Sequence, residues 1–361
     1  MKNKYLILAD ASSTHTLKWV KELIKYFDVY VITLNGYTQE IETLLTKESI
    51  FSLNEKVVTS GGNLKLILKY FEIKKIVEEL QPTYINAHYL SSYGVLAALI
   101  KIKFKNIKLI QSTWGTDVLV TPFTNNIKFS IAKFALSKAD IITSDSYFMT
   151  DKIDEIYKNK VTQTFPFGLE PFEIEESIQK DEFLIFSNRG LSENYNIDKI
   201  IEWFATLKDE RYRLVIANDG ELRIALEAQV KGLNLTKRVE FVGFLTDSQQ
   251  RGYYRDAKYY ISIPSSDSTA VSLLEAMRYG CCPIVSNLSA NREWILDEVN
   301  GVYFKKDLEL ENLNINAVEL NQTIIFKRAV FKDSIQMYIK KIKLIDSKYL
   351  SNKFDINVNN C

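Results

Sequence analysis

Short apolar runs alternate with amphipathic stretches along the whole chain. In the amino half, apolar and β-branched runs predict strands at residues 5–9, 29–34, 84–87, 107–113 and 141–143. Between them, apolar positions spaced three and four residues apart predict helices at residues 14–27, 64–80, 92–100 and 127–137. Strands that are continuously apolar and separated by helices are typical of a parallel sheet covered on both faces.

The alternation restarts after residues 164–172, a segment with two prolines and a glycine that we interpret as an interdomain linker. Beyond it, strands are predicted at residues 183–187, 213–217, 239–242, 259–263, 284–286 and 302–304. Helices are predicted at residues 198–207, 221–232, 248–256 and 269–279, with a last amphipathic helix at 325–344. We therefore predict an α/β protein with two Rossmann-like, doubly wound parallel-sheet domains.

The predicted domains are residues 1–168 and 169–325. A carboxy-terminal helix is expected at 326–350, followed by a loose polar tail at 351–361. Ligands of such sheets lie at the carboxyl ends of the strands, so two facing sheets predict a cleft between the domains. No G-x-G-x-x-G follows the first strand, where Asp10-Ala11-Ser12-Ser13 stands instead, and this argues against an ordinary dinucleotide dehydrogenase.

Residues 263–286 are the most informative stretch and read I-P-S-S-D-S-T-A-V-S-L-L-E-A-M-R-Y-G-C-C-P-I-V-S. A strand meets Pro264 and a cluster of helix-capping residues, and we predict a helix from Thr269 that Gly280 ends. A helix N-terminus placed directly after a parallel strand favours a phosphate. Glu275 is predicted on the same helix face as Thr269, where a carboxylate could reach a ribose. The stretch therefore predicts a nucleotide site.

Composition narrows the class of protein. With 361 residues, 46% apolar and 25% charged, the chain has the composition of a globular protein large enough for two cores. Its net charge of +1 indicates no general attraction to nucleic acid, so no nucleic-acid partner is expected. Three cysteines (Cys281, Cys282 and Cys361) form no disulfide or metal pattern, and with two histidines no metal site is expected.

Charge is uneven along the chain. Residues 1–150 carry 18 Lys and Arg against 13 Asp and Glu, which suggests that the amino half meets an anionic surface. Seven lysines on two predicted helices could hold it to anionic lipid: Lys65, Lys69, Lys74, Lys75, Lys128, Lys133 and Lys138. The alternative is that these lysines are ordinary solvated helix faces. No secretory segment or membrane span is evident, so we expect a cytoplasmic protein, at the inner face of the membrane if the lipid contact exists.

The residues at 264–285 carry a family resemblance. Pro264-Ser265-Ser266-Asp267, Leu274-Glu275-Ala276-Met277, Gly280 and Pro283-Ile284-Val285 resemble the P-S-x-x-E-G-F-G-L-x-x-L-E-A-M-A-x-G-x-P-V-I motif of the group 1 glycosyl transferases (glycosyltransferase family 4). The spacing of the two acids is kept, with Asp267 in place of the first Glu. Weaker matches extend the resemblance over nearly the whole chain: residues 87–89, 114–117, 144–146, 187–189, 218–220 and 239–243.

The resemblance implies an enzyme of the GT-B fold whose last helix crosses back to the first domain. It implies a retaining, metal-independent hexosyltransferase that needs no cofactor and uses a nucleotide-diphosphate sugar, UDP-linked, as its donor substrate. The acceptor would be a glycan or a lipid-linked molecule in bacterial cell-surface polysaccharide or glycolipid synthesis. The partners expected are therefore a nucleotide sugar and this acceptor, with peripheral membrane contact through the amino-terminal domain as the candidate surface interaction.

The same resemblance assigns roles to individual residues. Arg189 would bind the diphosphate, Asp267 the sugar hydroxyls, and Asp117 would position an acceptor or sugar hydroxyl. Donor-binding residues would be Asn188, Asn194, Gly243, Phe244, Leu245, Ser268, Thr269, Ala270, Val271 and Glu275. Within this set, Glu275 would hold the ribose, residues 243–245 would border the nucleobase, and the amides of 269–271 would stabilise the leaving group. Candidates for acceptor or sugar contact are His15, His88 and Trp114.

Each of these assignments has a structural alternative. Arg189 could form an ordinary salt bridge, Asp267 could cap a helix, Asp117 could cap a loop, and Glu275 could be an exposed helix acid. His15 and His88 could be histidines without a function.

Three departures from the family pattern bear on the donor site. Asn194 stands where many members carry a lysine, unless Lys199 replaces that cation; Trp114 stands where a histidine is common; and Ser268-Thr269-Ala270 replaces Gly-Phe-Gly. Asn194 and Trp114 favour the main alternative, a nucleotide-sugar-binding partner subunit with little activity. A GT-B epimerase is a weaker alternative, because it should carry more histidines and carboxylates.

Overall fold

The structure is a computed structural model that describes residues 2–54, 68–158, 161–174, 178–313, 315 and 317–358, with side chains described as far as residue 344. The chain divides into two compact units. One contains the residues up to Phe165 together with those from Tyr338 onward, and the other is Pro166–Met337.

The first unit is built on a seven-stranded sheet in which all strand pairs are parallel, with the order β3-β2-β1-β4-β5-β6-β7. Its strands are β1 (Lys4–Leu8), β2 (Asp28–Thr33), β3 (Ile50–Ser52), β4 (Tyr84–His88), β5 (Lys108–Ser112), β6 (Ile141–Ser144) and β7 (Val161–Thr164). Its helices are α1 (Thr14–Leu23), α2 (Gln39–Glu42), α3 (Tyr70–Leu80), α4 (Tyr93–Lys103), α5 (Thr116–Leu119), α6 (Asn126–Lys138) and α7 (Tyr147–Ile156). Two apolar clusters cover this sheet, one around Leu8 and Ile85 and the other around Leu136 and Ile142.

The second unit repeats this plan with a six-stranded parallel sheet of order β10-β9-β8-β11-β12-β13. Its strands are β8 (Asp181–Ser187), β9 (Arg213–Ala217), β10 (Val239–Gly243), β11 (Ala257–Ser262), β12 (Cys282–Val285) and β13 (Val302–Tyr303). Its helices are α8 (Ile197–Phe204), α9 (Arg223–Gly232), α10 (Asp247–Asp256), α11 (Val271–Arg278), α12 (Ser289–Arg292) and α13 (Val318–Arg328), and α14 (Phe331–Val358) begins in it. Apolar clusters around Ile216 and Ile261 and around Phe186 and Leu274 fill its two faces. The α/β class and the two parallel sheets predicted from the sequence are confirmed.

Several elements of the first unit differ from the sequence prediction. The pattern predicted neither of the sheet's edge strands, β3 and β7, nor helix α7. Edge strands pair on one side only and need fewer apolar residues, and β7 reads only Val-Thr-Gln-Thr. Helix α3 begins at Tyr70, and residues 64–67 of the predicted helix lie outside the described residues.

The single last helix predicted at 325–344 is wrong, because the structure has two helices there. Between α13 and α14 the chain pairs with Leu169, whose N–H donates to the Ala329 carbonyl at 2.6 Å and whose carbonyl accepts from Phe331 N–H at 2.9 Å. This extended pairing interrupts the helix. Helix α14 continues to Val358, so the first eight residues of the predicted loose tail are helical.

From Tyr338 onward, α14 belongs to the first unit. The Tyr338 hydroxyl lies 2.5 Å from that of Tyr5 on β1, and the Tyr338 ring packs edge-on against Trp19 of α1 at 5.3 Å between centroids. Among the described helices, none combines the length and the apolar character that a bilayer crossing needs.

Candidate functional site

The carboxyl ends of β8 and β11 place the main predicted residues of the second unit together. These two strands are neighbours in the sheet, so the residues that follow them emerge side by side at one edge. Asn188 and Arg189 directly follow β8, and Asp267 lies in the loop between β11 and α11. Helix α11 then carries Ser272 and Glu275 away from the same edge.

Arg189 and Asp267 form a partly buried ion pair, with Nη2 of the arginine 2.6 Å from Oδ2 of the aspartate. Nη1 of Arg189 donates to Ser272 Oγ at 2.7 Å, and the guanidinium lies over the Tyr195 ring at 4.4 Å from its centroid. Burial raises the pKa of Asp267, and Arg189 and the Ser268 amide offset part of that shift. Burial also disfavours the charge on Arg189, but Asp267 outweighs it together with the nearby tyrosines, and the arginine's pKa is raised. The cation is therefore held at a fixed place and in a fixed orientation.

Asn194, the residue in the lysine position of the family, binds the loop that carries Asp267. Its side-chain Nδ2 donates to the Ser266 carbonyl at 3.0 Å, and its Oδ1 accepts from the Ser266 N–H at 3.1 Å. The ammonium of Lys199, the candidate replacement cation, donates to Asn196 Oδ1 at 2.7 Å. Asn194 therefore orders the Asp267 loop, and its predicted contact with the donor stays a prediction.

Helix α11 begins at Val271, two residues later than the sequence predicts, with Ala270 as its N-cap. The predicted donor-binding residues Ser268, Thr269 and Ala270 are buried in the turn before it. Asp267 Oδ1 accepts from the N–H of Ser268 at 3.0 Å, so this aspartate orders the turn but is not the N-cap of the helix. The first N–H groups of a helix have no carbonyl within it to bind, and here they start beside the Arg189–Asp267 pair.

Glu275 lies one turn into α11, where α10 holds its carboxylate. Its Oε2 accepts from Gln250 Nε2 at 3.1 Å and from the Tyr254 hydroxyl at 3.2 Å. The carboxylate is therefore fixed in place.

The predicted nucleobase border follows β10. Gly243 has a left-handed φ of 70°, the side chain of Phe244 is 76% exposed, and Leu245 packs partly against the core. An exposed aromatic ring beside a left-handed glycine could stack on a planar base.

In the first unit, His15, His88 and Trp114 form one aromatic cluster. The Trp114 ring centroid lies 4.6 Å from that of His15 and 5.2 Å from that of His88, and Tyr89 stacks on Trp114 at 5.9 Å. Burial lowers the pKa of His88 to about 3 and that of His15 to about 4, so both rings are neutral at pH 7. The cluster brings the three predicted contact residues together, and their contact with a sugar or acceptor stays a prediction.

Asp117 is 3% exposed and its carboxylate holds the loop after β5. Oδ1 accepts from the N–H groups of Trp114 and Gly115, both at 3.0 Å, and Oδ2 accepts from Leu90 N–H at 2.9 Å. Burial raises its pKa, and these amides partly offset the shift. The geometry matches the loop-capping alternative, through which Asp117 positions Trp114; a direct contact with a hydroxyl stays a prediction.

Sequence reasoning missed four residues of the second unit whose side chains contact Arg189, Glu275 or the groups between them. These are Tyr195, Tyr254, Tyr260 and Ser272. No local signal singled out Tyr260, because β11 reads Ala-Lys-Tyr-Tyr-Ile-Ser and its neighbour Tyr259 is a buried tyrosine too. Across the described residues, no group of three or more His, Cys, Asp or Glu side chains is placed to hold a metal ion.

Each half of the chain matches a known protein family. Residues 4–146 match the family described as Glycosyl transferase 4-like, and residues 170–323 match the family described as Glycosyl transferases group 1.

Two curated relatives are similar over most of the chain. An alpha-monoglucosyldiacylglycerol synthase from Streptococcus pneumoniae is 25% identical, over 81% of this chain and 77% of the relative. A Campylobacter jejuni alpha-1,4-N-acetyl-D-galactosaminyltransferase, whose name gives a diNAcBac-PP-undecaprenol-linked acceptor, is 24% identical, over 78% of this chain and 81% of the relative.

Solved structures share the architecture. Anabaena Alr3699/HepE in complex with UDP has a TM-score of 0.72 at 16% identity, covering 95% of this chain and 100% of that one. Sucrose-phosphate synthase from Thermosynechococcus elongatus has a TM-score of 0.77 at 12% identity, covering 96% of this chain and 100% of that one. At these identities the likeness shows the fold.

Proposed function

This chain belongs to the group 1 glycosyl transferases and has the GT-B fold, and from this premise we propose that it transfers a sugar from a UDP-linked donor to a glycan or lipid-linked acceptor. The observation that carries the proposal is the Arg189–Asp267 ion pair beside the first turn of α11, with Glu275 fixed one turn further along. This set of groups suits a nucleoside diphosphate. Binding of UDP by a structural neighbour and lipid-linked products or acceptors in the names of two relatives support it.

Each end of the donor has a partner in the second unit. The guanidinium of Arg189 would fork onto the diphosphate oxygens, and the free N–H groups of α11 would bind the same charge. Glu275 would accept hydrogen bonds from the ribose hydroxyls, and residues 243–245 would border the base. Asp267 would bind hydroxyls of the sugar once the diphosphate competes for Arg189.

We propose that the reaction proceeds with retention and without a metal ion. The sugar–phosphate bond breaks, and charge develops on the leaving diphosphate, where the guanidinium and the helix N-terminus stabilise it. The acceptor hydroxyl then bonds to the anomeric carbon on the face that the diphosphate leaves. Its proton passes to a donor phosphate oxygen, so that atoms and charge balance without a dedicated base.

Replacement of Arg189 tests the catalytic proposal. Arg189→Ala should lower turnover about 100-fold or more, because removal of one fixed donor from a developing anion has an effect of that order. The assay measures UDP release from UDP-sugars with glycosylated lipid acceptors, and melting temperature reports folding. Arg213→Ala is the control, because Arg213 is an exposed arginine of the same unit paired with Asp181. An unchanged rate in Arg189→Ala would overturn the assignment.

A partner subunit with little activity is the second candidate function. Asn194 favours it, because this residue is uncharged and Arg189 is then the one predicted cation for the diphosphate in the described site. Asp267 favours it too, because its carboxylate already neutralises the charge of Arg189. A thermal-shift screen with UDP, GDP and ADP, read beside the turnover assay, separates the candidates. A nucleotide at one hundred times its dissociation constant stabilises by about 2.7 kcal/mol. Strong binding without turnover would favour the partner subunit.

Helix α6 supports a contact with the membrane in which lipid-linked acceptors reside. Ile127, Ile131 and Phe134 line a surface groove of about 430 Å³, and Ile127 is 73% exposed. Lys128 and Lys133 lie on the same helix and form no ion pair within the described part of the chain. We propose that this face binds an anionic bilayer at the cytoplasmic side, with the apolar stripe inserted and the lysines on the headgroups.

The described lysines of α3 and of its N-cap do not contribute to this proposal. Each is paired with an acid of α3: the N-cap Lys69 with Glu72 at 2.9 Å, Lys74 with Glu78 at 3.3 Å and Lys75 with Glu79 at 3.9 Å. Lys65 lies outside the described residues. Among the lysines that the structure describes, the proposed lipid contact is therefore limited to those of α6.

Vesicle flotation tests the membrane contact. The protein should float with vesicles containing phosphatidylglycerol and not with pure phosphatidylcholine, because both charge and apolar area are required. The double variant Ile127→Ser, Ile131→Ser should lose most of this binding. Ile224→Ser is the matched control, since Ile224 is 84% exposed on α9 of the other unit. Equal flotation of all three proteins would contradict the proposal.

A further inference from the structure

A continuous chain of hydrogen-bonding groups links the two charged ends of the candidate donor site. Ser272 Oγ, which accepts from Arg189, lies 2.8 Å from the Tyr260 hydroxyl. That hydroxyl is 3.1 Å from Oδ1 of Asn188, whose Nδ2 donates to the Tyr254 hydroxyl at 2.8 Å. Tyr254 in turn donates to Glu275 at 3.2 Å.

The Tyr260 hydroxyl is the centre of this chain. The amide oxygen of Asn188 can only accept, so the hydroxyl donates to it at 3.1 Å. The same hydroxyl is in donor geometry towards Ser272 Oγ at 2.8 Å, so its one hydrogen serves either side of the chain. On the other side, Asn188 Nδ2 donates to Tyr254, whose hydroxyl donates to Glu275. Tyr260 is therefore the point at which the two sides of the chain meet.

The interior of the chain is shielded from water. Tyr254 and Tyr260 are almost fully buried, and Asn188 is buried between them. In such surroundings a polar group without a hydrogen-bond partner destabilises the folded protein, and connected hydrogen bonds strengthen one another. The chain also connects four elements, because its members lie on α10, α11 and β11 and directly after β8.

We propose that Asn188, Tyr254 and Tyr260 are positioning residues that couple the diphosphate end of the donor site to its ribose end. The inference rests on the proposed function, since it takes Arg189 and Glu275 as the groups that touch the nucleotide. Glu275 reaches the ribose in the right orientation because Tyr254 holds its Oε2. Arg189 keeps one amino group on Ser272 while the rest of its guanidinium meets the diphosphate. Binding at either end therefore favours the geometry required at the other.

Calorimetric titration of UDP into matched tyrosine variants tests the coupling. Tyr260→Phe and Tyr254→Phe should each raise the dissociation constant for UDP about tenfold, because each removes one hydroxyl from the middle of the chain. Tyr259→Phe is the control. Tyr259 is adjacent on β11 and also buried, but it packs in the opposite core cluster, and its hydroxyl has no hydrogen bond to any described residue.

Two further readouts distinguish positioning from simple stabilisation. A structural role alone would lower the melting temperature of Tyr260→Phe without changing UDP affinity. Coupling is measured directly by the double-mutant cycle of Arg189→Lys and Glu275→Gln on UDP binding. The interaction between these two substitutions should fall towards zero in a Tyr260→Phe background and persist in a Tyr259→Phe background.

The outcomes separate the two proposals. If the wild-type protein binds none of UDP, GDP and ADP, the proposed function fails, and this inference fails with it. If UDP binds the wild-type protein and Tyr260→Phe equally well, only the coupling is overturned. A tenfold loss in both Tyr254→Phe and Tyr260→Phe, with Tyr259→Phe unchanged, supports it.

Discussion

At the residue scale, the proposed donor site holds one cation and two carboxylates. Arg189 is paired with Asp267, and the Glu275 carboxylate is fixed on α11 by Tyr254. On the proposed function, an entering diphosphate would meet a cation with a competing partner, in a family where many members offer a second cation at the position of Asn194. Affinity for the donor would then depend strongly on the N–H groups of α11 and on the contacts of the base and ribose.

The two histidines give a prediction about pH at the same scale. His88 is buried, and its pKa in the folded protein is about 3, well below that of an exposed histidine. The unfolded chain therefore binds more protons than the folded one as pH falls below about 6.5, and the folded state loses stability. Between pH 7 and pH 5 the part of this loss that comes from His88 alone should approach about 2 kcal/mol, fully regained on returning to neutral pH.

Urea unfolding at pH 7 and pH 5, followed by circular dichroism, measures this effect. The His88→Gln variant should lose about 2 kcal/mol less than the wild-type protein over the same interval, because its side chain does not titrate. A steep loss that is identical in both proteins would show that other groups are responsible.

At the element scale, the break between α13 and α14 depends on a glycine distant in sequence. Gly168 has a left-handed φ of 53°, and a Cβ there would collide with the Ala329 carbonyl. This close approach allows Leu169 to pair with residues 329–331 and to stop α13.

Substitution of Gly168 should therefore lower the stability of the folded protein. Gly168→Ala should destabilise the protein by about 2 kcal/mol or more, because it adds backbone strain and a steric clash. Gly232→Ala is the control, since Gly232 ends α9 with open space around its Cα, and alanine there should be neutral or slightly stabilising. Thermal unfolding compares the two variants. An equal melting temperature for Gly168→Ala and the wild-type protein would contradict the account of the break.

At the scale of the whole molecule, the chain distributes its candidate chemistry between two units. The charged groups assigned to the nucleotide all lie in Pro166–Met337, whereas the aromatic cluster of His15, His88 and Trp114 lies in the first unit. Each unit has its own parallel sheet and its own apolar clusters, so each has the parts of a separately packed domain.

This division predicts where UDP protects the backbone. Hydrogen exchange followed by mass spectrometry should show the largest slowing in the segments around Asn188, Asp267 and Glu275, because the proposed ligand contacts lie there. The segment around Trp114 should change less when UDP is added without an acceptor. Protection concentrated around Trp114 would contradict the assignment of the nucleotide to the second unit.

The two parallel sheets, the order of most helices and the family could all be predicted from local patterns in the sequence. Strands buried on both faces are apolar throughout, so local composition reveals them, and the Asp267–Glu275 spacing is visible along the chain. Capping chemistry also predicted α11, to within two residues of its start.

Which polar groups contact one another depends on the folded arrangement of strands and helices. The Arg189–Asp267 pair joins residues 78 positions apart, and the hydrogen-bonded chain through Tyr260 and Asn188 joins residues 72 apart. Partners so distant are selected by strand order and by the packing of helices on the sheet, which no local pattern records. For the same reason the edge strands β3 and β7 of the first sheet and the break after α13 escaped prediction, since each depends on a pairing partner elsewhere in the chain.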